Sequence, residues 1–191
     1  MLSQKHEVLL HFNNKAVKIL RPKNEFMGKF WGENMNLEEL FQNAKRVVIC
    51  GIGNDIRGDD AFGVLVAERL KELLDNPDVL VLNCGEVPEN YTGKIANFKP
   101  DLVVFVDAVD FGGEVGEYIT ADPEGTLGEA ISTHGLPLKF VTQFMKTMVK
   151  AEFVLIGCQP GSTGLFQEPS ELIKKRAERL AELLAGILKR E

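Results

Sequence analysis

Four short apolar runs punctuate the chain: Val47–Cys50, Val79–Leu82, Leu102–Val106 and Phe153–Ile156. They are rich in Val, Ile, Leu and Phe and barely alternate with polar residues. This pattern predicts strands buried on both faces of a parallel sheet. Between them the apolar spacing changes to threes and fours. Gly63, Val66, Ala67, Leu70, Leu73 and Leu74 make one helical stripe, and Pro137, Phe140, Val141, Phe144, Met145 and Met148 make another. Leu37, Leu40, Phe41 and Ala44 predict an earlier helix, Leu172–Leu188 predict a last one with Lys and Arg near its ends, and Glu117–Thr120 add a short strand. The alternation predicts an α/β fold: a three-layer sandwich, with a mostly parallel twisted sheet and helices on both faces.

The N-terminal part has a different texture. Residues 7–12 (EVLLHF) and 16–20 (AVKIL) flank Asn13-Asn14, a turn signal that predicts a hairpin. The following RPKNEFMGKFWGENM reads as a linker. Residues 1–34 are therefore expected to be an extension and residues 35–191 the α/β domain, with Met35 readable as an alternative start. The 191 residues suit one domain with some surplus.

Composition and charge narrow the function. Hydrophobic residues make up 45% and charged residues 26%, ordinary globular usage that excludes a disordered chain or a coiled coil. The net charge of −6 divides into +3 for residues 1–34 and −9 for the remainder. A body this acidic argues against nucleic-acid binding. The longest uncharged stretch, Phe153–Gln167, is broken by Pro and Gly and is too short to enter a membrane. No signal-like segment opens the chain, so the expected location is the cytoplasm. Cys50, Cys84 and Cys158 each follow an apolar run and read as buried soft hydrophobes.

Ligands of parallel α/β sheets bind where loops leave the carboxyl ends of the strands. The first strand delivers GIGNDIRGDD there, the second NCGE, the third Asp107-Ala108-Val109-Asp110, and a later loop carries Ser132-Thr133-His134-Gly135. The first loop is a poor dinucleotide site. Its glycines are spaced G-x-G-x-x-x-x-G, and Asp59 and Asp60 put negative charge where a pyrophosphate needs amides. The acid pair suits a cation better, with helix capping as the plainer role, more so for Asp59 than Asp60. Asp107 closes an apolar strand, a costly place for a carboxylate unless it is paired or metal-bound; Asp110 reads as a turn acid. His134 is the one histidine outside the N-terminal extension. Two carboxylates and an imidazole form an O,O,N set for a divalent metal such as nickel or zinc, with positions left open.

GIGNDIRGDDAFG, GEVPEN, VDAVDFG, STHGLPL and GCQP occur in that order, and the series resembles the nickel–iron hydrogenase maturation endopeptidases, most closely those of HycI type. The resemblance spans roughly residues 36–190. It implies an aspartyl-type endopeptidase activity that removes a C-terminal extension from the hydrogenase large-subunit precursor once nickel is installed. It also implies that Asp60, Asp107 and His134 are both the catalytic and the nickel-contacting residues, and that the precursor carries the nickel. HycI-type members serve membrane-associated, hydrogen-evolving hydrogenases. Two positions depart from the pattern: Ala61 where relatives often have Gly, and Cys158 where an aliphatic residue is common. The competing reading on the same fold is a non-proteolytic nickel chaperone or docking module.

Overall fold

A strand with apolar residues on both sides needs cover on both sides, and the central strands here have that character. The computed structural model describes residues 6–12, 15–21, 37–125 and 137–189. Strands β3 (Val47–Ile52) and β5 (Leu102–Ala108) are buried at every position, and β7 (Glu152–Cys158) at every position after its first. β3 pairs in parallel with β5 and with β4 (Val79–Gly85), and β5 pairs in parallel with β7. The short β6 (Tyr118–Ala121) runs antiparallel to β7. Beyond it lie β2 (Lys15–Arg21), parallel to β6, and β1 (His6–Phe12), antiparallel to β2. The described residues thus form one mixed seven-stranded sheet in the order β1-β2-β6-β7-β5-β3-β4.

Successive strand residues point to opposite faces, and each face has its own core. Val47, Ile49, Val104, Val106, Val154 and Ile156 pack with Phe41, Phe62, Val66, Leu70, Leu180 and Leu184. These come from helices α1 (Leu37–Asn43), α2 (Phe62–Leu73) and α5 (Glu171–Leu188). On the other face Val48, Cys50, Val103, Phe105, Phe153 and Leu155 meet Ile95, Val141 and Met145. Those belong to α3 (Thr92–Phe98) and α4 (Leu138–Lys146). The fold is the predicted three-layer α/β sandwich.

One predicted stripe is only half right. α4 buries Leu138, Val141, Thr142 and Met145, but Phe140, Phe144 and Met148 are each more than half exposed. Apolar positions at 140, 141, 144, 145 and 148 cover a wide arc of the helix surface. Periodicity gives the arc, but packing against the sheet selects which edge of it faces inward.

The hairpin predicted for the N-terminal segment is present, and it extends the sheet. Ile19↔Tyr118 and Leu20↔Ile119 pair across to β6, and both hairpin strands also lie against α5.

Asp59 holds the loops at the carboxyl edge in place. It lies in a 3₁₀ turn, Gly58–Ala61, between β3 and α2, and is 2% exposed. Its Oδ2 accepts from Gly161 N–H at 2.9 Å and Ser162 N–H at 3.3 Å, and its Oδ1 from Ser170 N–H at 2.7 Å. Ser170 is the N-cap of α5 and accepts from Ile173 N–H. One carboxylate therefore fastens the β3 loop to both ends of the β7–α5 loop. Burial alone would push its pKa up, but the donors from Ser170, Gly161 and Ser162 outweigh it and hold Asp59 below the ordinary carboxylate range.

Two predictions follow from this architecture. A chain beginning at Met35 is expected to unfold cooperatively with a melting temperature within about 5 °C of the full chain, since the hairpin joins the body through two residue pairs to β6 and a small contact with α5. Insolubility of the shortened chain would show instead that the body depends on the hairpin. Asp59→Asn replaces an acceptor-only group with one that turns an amide toward N–H donors, and is expected to cost about 2–4 kcal/mol at pH 7. The depressed folded-state pKa means that Asp59 contributes stability above its unfolded value, near about 3.9. That contribution is lost as pH falls through the lower folded value. The gap between wild type and Asp59→Asn in denaturant titrations should therefore narrow below about pH 4; a constant gap down to about pH 2 would contradict it.

Candidate active site

The first loop turns back on itself just beyond β3. Gly53 has a φ of 145°, and a Cβ there would lie 2.0 Å from Asp60 O, so only glycine fits. Asn54 N–H donates to Asp60 O, and Asn54 Oδ1 accepts from Ile56 N–H. The 3₁₀ turn that follows packs on β5. Close approach continues into α2: a Cβ on Gly63 would sit 2.0 Å from Val106 O and 2.3 Å from Ile52 O. Gly63 stands three residues after Asp60, and Val106 immediately precedes Asp107. That contact sets the two carboxylates at one edge of the sheet.

Both carboxylates are removed from water. Asp60 is fully buried and Asp107, near the end of β5, is 6% exposed. Asp60 Oδ2 and Asp107 Oδ1 are buried and receive no hydrogen bond among the described residues; both residues are engaged by interactions of their own. Carboxylate oxygens are donors that suit a divalent cation. Among the described residues no group of three His, Cys, Asp or Glu could hold a metal ion. His134, the third expected ligand, lies outside the described residues. The structure thus places Asp60 and Asp107 at the same, predicted edge of the sheet, beyond neighbouring parallel strands.

The acid pair divides its labour, which corrects the expectation that both acids favour a cation. Asp59 is consumed by backbone N–H groups from the β7–α5 loop, so of the pair it serves the loops and not a cation. The plainer capping role expected of Asp59 is not what it performs: it caps no helix itself, and instead holds Ser170, the residue whose side chain caps α5.

Gln159 is a positioning residue that the sequence did not reveal. It is 7% exposed, and its Oε1 accepts from Phe111 N–H at 2.9 Å and Gly113 N–H at 3.1 Å. Its Nε2 donates to Asp110 Oδ1 at 3.0 Å and to Pro160 O. Gln159 thereby fixes the loop that leaves β5 directly after Asp107. The available signal was a long polar residue at the end of a wholly apolar strand. Asp110 is the turn acid expected, accepting from Gly112 N–H, and that bond with the one from Gln159 keeps its pKa low. Ala61 adopts φ −68° and ψ −6°, an ordinary conformation, so its departure from glycine costs nothing.

Cysteine chemistry is absent from this edge. Cys50, Cys84 and Cys158 are free and buried. Burial pushes the Cys158 thiol up to about 12, and a hydrogen bond to Cys84 together with burial raises Cys50. Neither supplies a thiolate nucleophile at neutral pH. No helix among the described residues is long and apolar enough to cross a membrane.

Comparison with known proteins identifies the family. The HycI model, described as hydrogenase maturation protease, matches residues 64–187. A Methanocaldococcus jannaschii protein named as a hydrogenase maturation protease is 31% identical over 163 residues, covering 82% of this chain and 95% of its own. The hydrogenase 3 maturation protease of Escherichia coli K12 is 30% identical over 142 residues, covering 73% of this chain and 88% of its own. Among solved structures, HycI from Thermococcus kodakarensis superposes with a TM-score of 0.76 at 73% identity, covering 81% of this chain and 99% of that one. The chain belongs to the HycI family of hydrogenase maturation proteases.

Proposed function

We propose that this protease acts in the cytoplasm on a nickel–iron hydrogenase large-subunit precursor, removing its C-terminal extension after nickel insertion. The observation that carries the reading is the pair of buried carboxylates, Asp60 and Asp107, delivered by neighbouring parallel strands to one edge. The family resemblance adds His134 as third contact.

The donor set favours a metal that arrives on the substrate. Two carboxylates and one imidazole, with no thiolate, form a weak and unselective cage. Nickel already anchored in the precursor needs only its open positions completed. Cleavage then reports that the metal has been installed, since neither partner alone offers the whole site. Within the complex the ion can polarise the scissile carbonyl or lower the pKa of a water. Asp60 and Asp107 would hold it in place from a water-poor edge, where charge interactions are stronger than in solvent.

The test is cleavage of precursor with and without nickel, read as the shortened large subunit. Nickel-loaded precursor is expected to be cut and nickel-free precursor to remain intact, with no stoichiometric metal in the isolated protease. Efficient cutting of nickel-free precursor by a protease purified with its own metal would instead make it a conventional metalloprotease. Binding of the loaded precursor without cleavage would favour the docking module. Asp60→Asn, Asp107→Asn and His134→Ala are each expected to lower the rate at least ~100-fold while leaving a folded protein. Full activity in any of the three removes that residue from the site.

A further inference from the structure

The rim beside the carboxylates exposes an apolar patch whose backbone is rigidly held. Ile56, in the loop after β3, is 47% exposed; Leu165 and Phe166, in the loop between β7 and α5, are 52% and 82% exposed. Three backbone bonds fasten these loops together. Phe166 N–H donates to Ile56 O at 2.6 Å, Gly58 N–H to Gln167 O at 2.8 Å and Asp59 N–H to Ser162 O at 2.8 Å. Phe166 itself has a φ of 58°, the left-handed region ordinarily taken by glycine or asparagine. The fold therefore accepts two unfavourable features at one residue: a strained backbone and an aromatic ring in water. Strain of this kind persists where the surroundings enforce it, and it collects at ligand clamps.

We infer that Ile56, Leu165 and Phe166 form a docking patch for an apolar side chain of the precursor polypeptide, close to the bond that is cut. This rests on the processing reading above and adds a specificity site to it. The occupant follows from position. Any polypeptide that brings a bond to Asp60 and Asp107 approaches over this edge, and the patch is fastened to the same loop as Asp60. Four residues separate Ile56 from Asp60, a reach of at most about 14 Å. An extended peptide advances about 3.3 Å per residue. Its side chain at the patch then lies within roughly four residues of the cut bond. Phe166 offers a large apolar face at low conformational cost, because its backbone is fixed before the substrate arrives.

Phe166→Gly, Phe166→Ala and Phe166→Leu separate docking from a structural role. Glycine adopts the left-handed conformation freely, so Phe166→Gly should fold with a melting temperature at or above that of wild type. With nickel-loaded precursor, Phe166→Gly and Phe166→Ala are expected to raise KM about tenfold with kcat within about twofold, and Phe166→Leu to recover most of the loss. KM within about twofold of wild type in Phe166→Gly overturns the docking patch. So does a fall in kcat at constant KM, or a marked loss of thermal stability in Phe166→Gly, which would make Phe166 a packing residue. Failure of wild type to cut the loaded precursor overturns the processing reading and this inference together. Wild-type cleavage with unaltered variants overturns this inference alone.

Discussion

The carboxylate of Asp59 is the constraint on which the arrangement of the functional edge depends. Parallel strands end in loops that have no partners of their own, and loop backbone left without partners in a protein interior is costly. Asp59 satisfies three backbone N–H groups at once, one of them at the N-terminus of α5. Charge-assisted bonds of this kind are stronger than neutral ones, and the helix terminus favours a negative partner. The β3 loop, the β7–α5 loop and the last helix therefore share one anchor. Asp60 and Phe166 both hang from that assembly, which places them by the same set of bonds.

Close backbone approach completes what Asp59 begins. Gly53 lets the loop fold back until it meets Asp60 O, and Gly63 lets α2 press on the carbonyls of Ile52 and Val106. No side chain larger than hydrogen fits at either place. The effect is to draw the residue after β3's loop and the residue near the end of β5 toward one point in the protein interior. Gln159 then fixes the loop beyond Asp107 from the far side. Positional precision at this edge thus comes from glycine contacts and buried side-chain-to-backbone bonds, on a sheet stiffened by two apolar cores.

The two carboxylates of the Asp59–Asp60 pair show how adjacent residues of one type reach opposite ends. Asp59 is saturated by hydrogen-bond donors and its ionised form is favoured by them. Asp60 is fully buried, in a 3₁₀ turn that packs on β5. A carboxylate in the first environment stabilises loops; a carboxylate in the second is withdrawn from water at the edge of the sheet. The difference lies in what each meets after folding, since their charge and place in the chain are nearly identical.

Much of this protein is written locally. Continuous Val, Ile and Leu runs specify strands covered on both faces, and intervening stripes specify the covering helices, so the α/β sandwich follows from periodicity. The loop glycines and the placement of Asp60 and Asp107 at the carboxyl edge are legible because strand ends in such sheets converge. Tertiary structure decided what depends on distant partners. The attachment of the hairpin to β6 is set by strand pairing across about a hundred residues of chain. The inward edge of α4 is chosen by the sheet beneath it, which leaves Phe140 and Phe144 outside. The roles of Asp59 and Gln159 depend on N–H groups contributed from loops far along the chain. Hydrophobic pattern reports which residues leave water, because burial is a property each residue carries. Hydrogen-bond partnership and backbone strain are properties of pairs and loops, and they exist only once the chain has closed on itself.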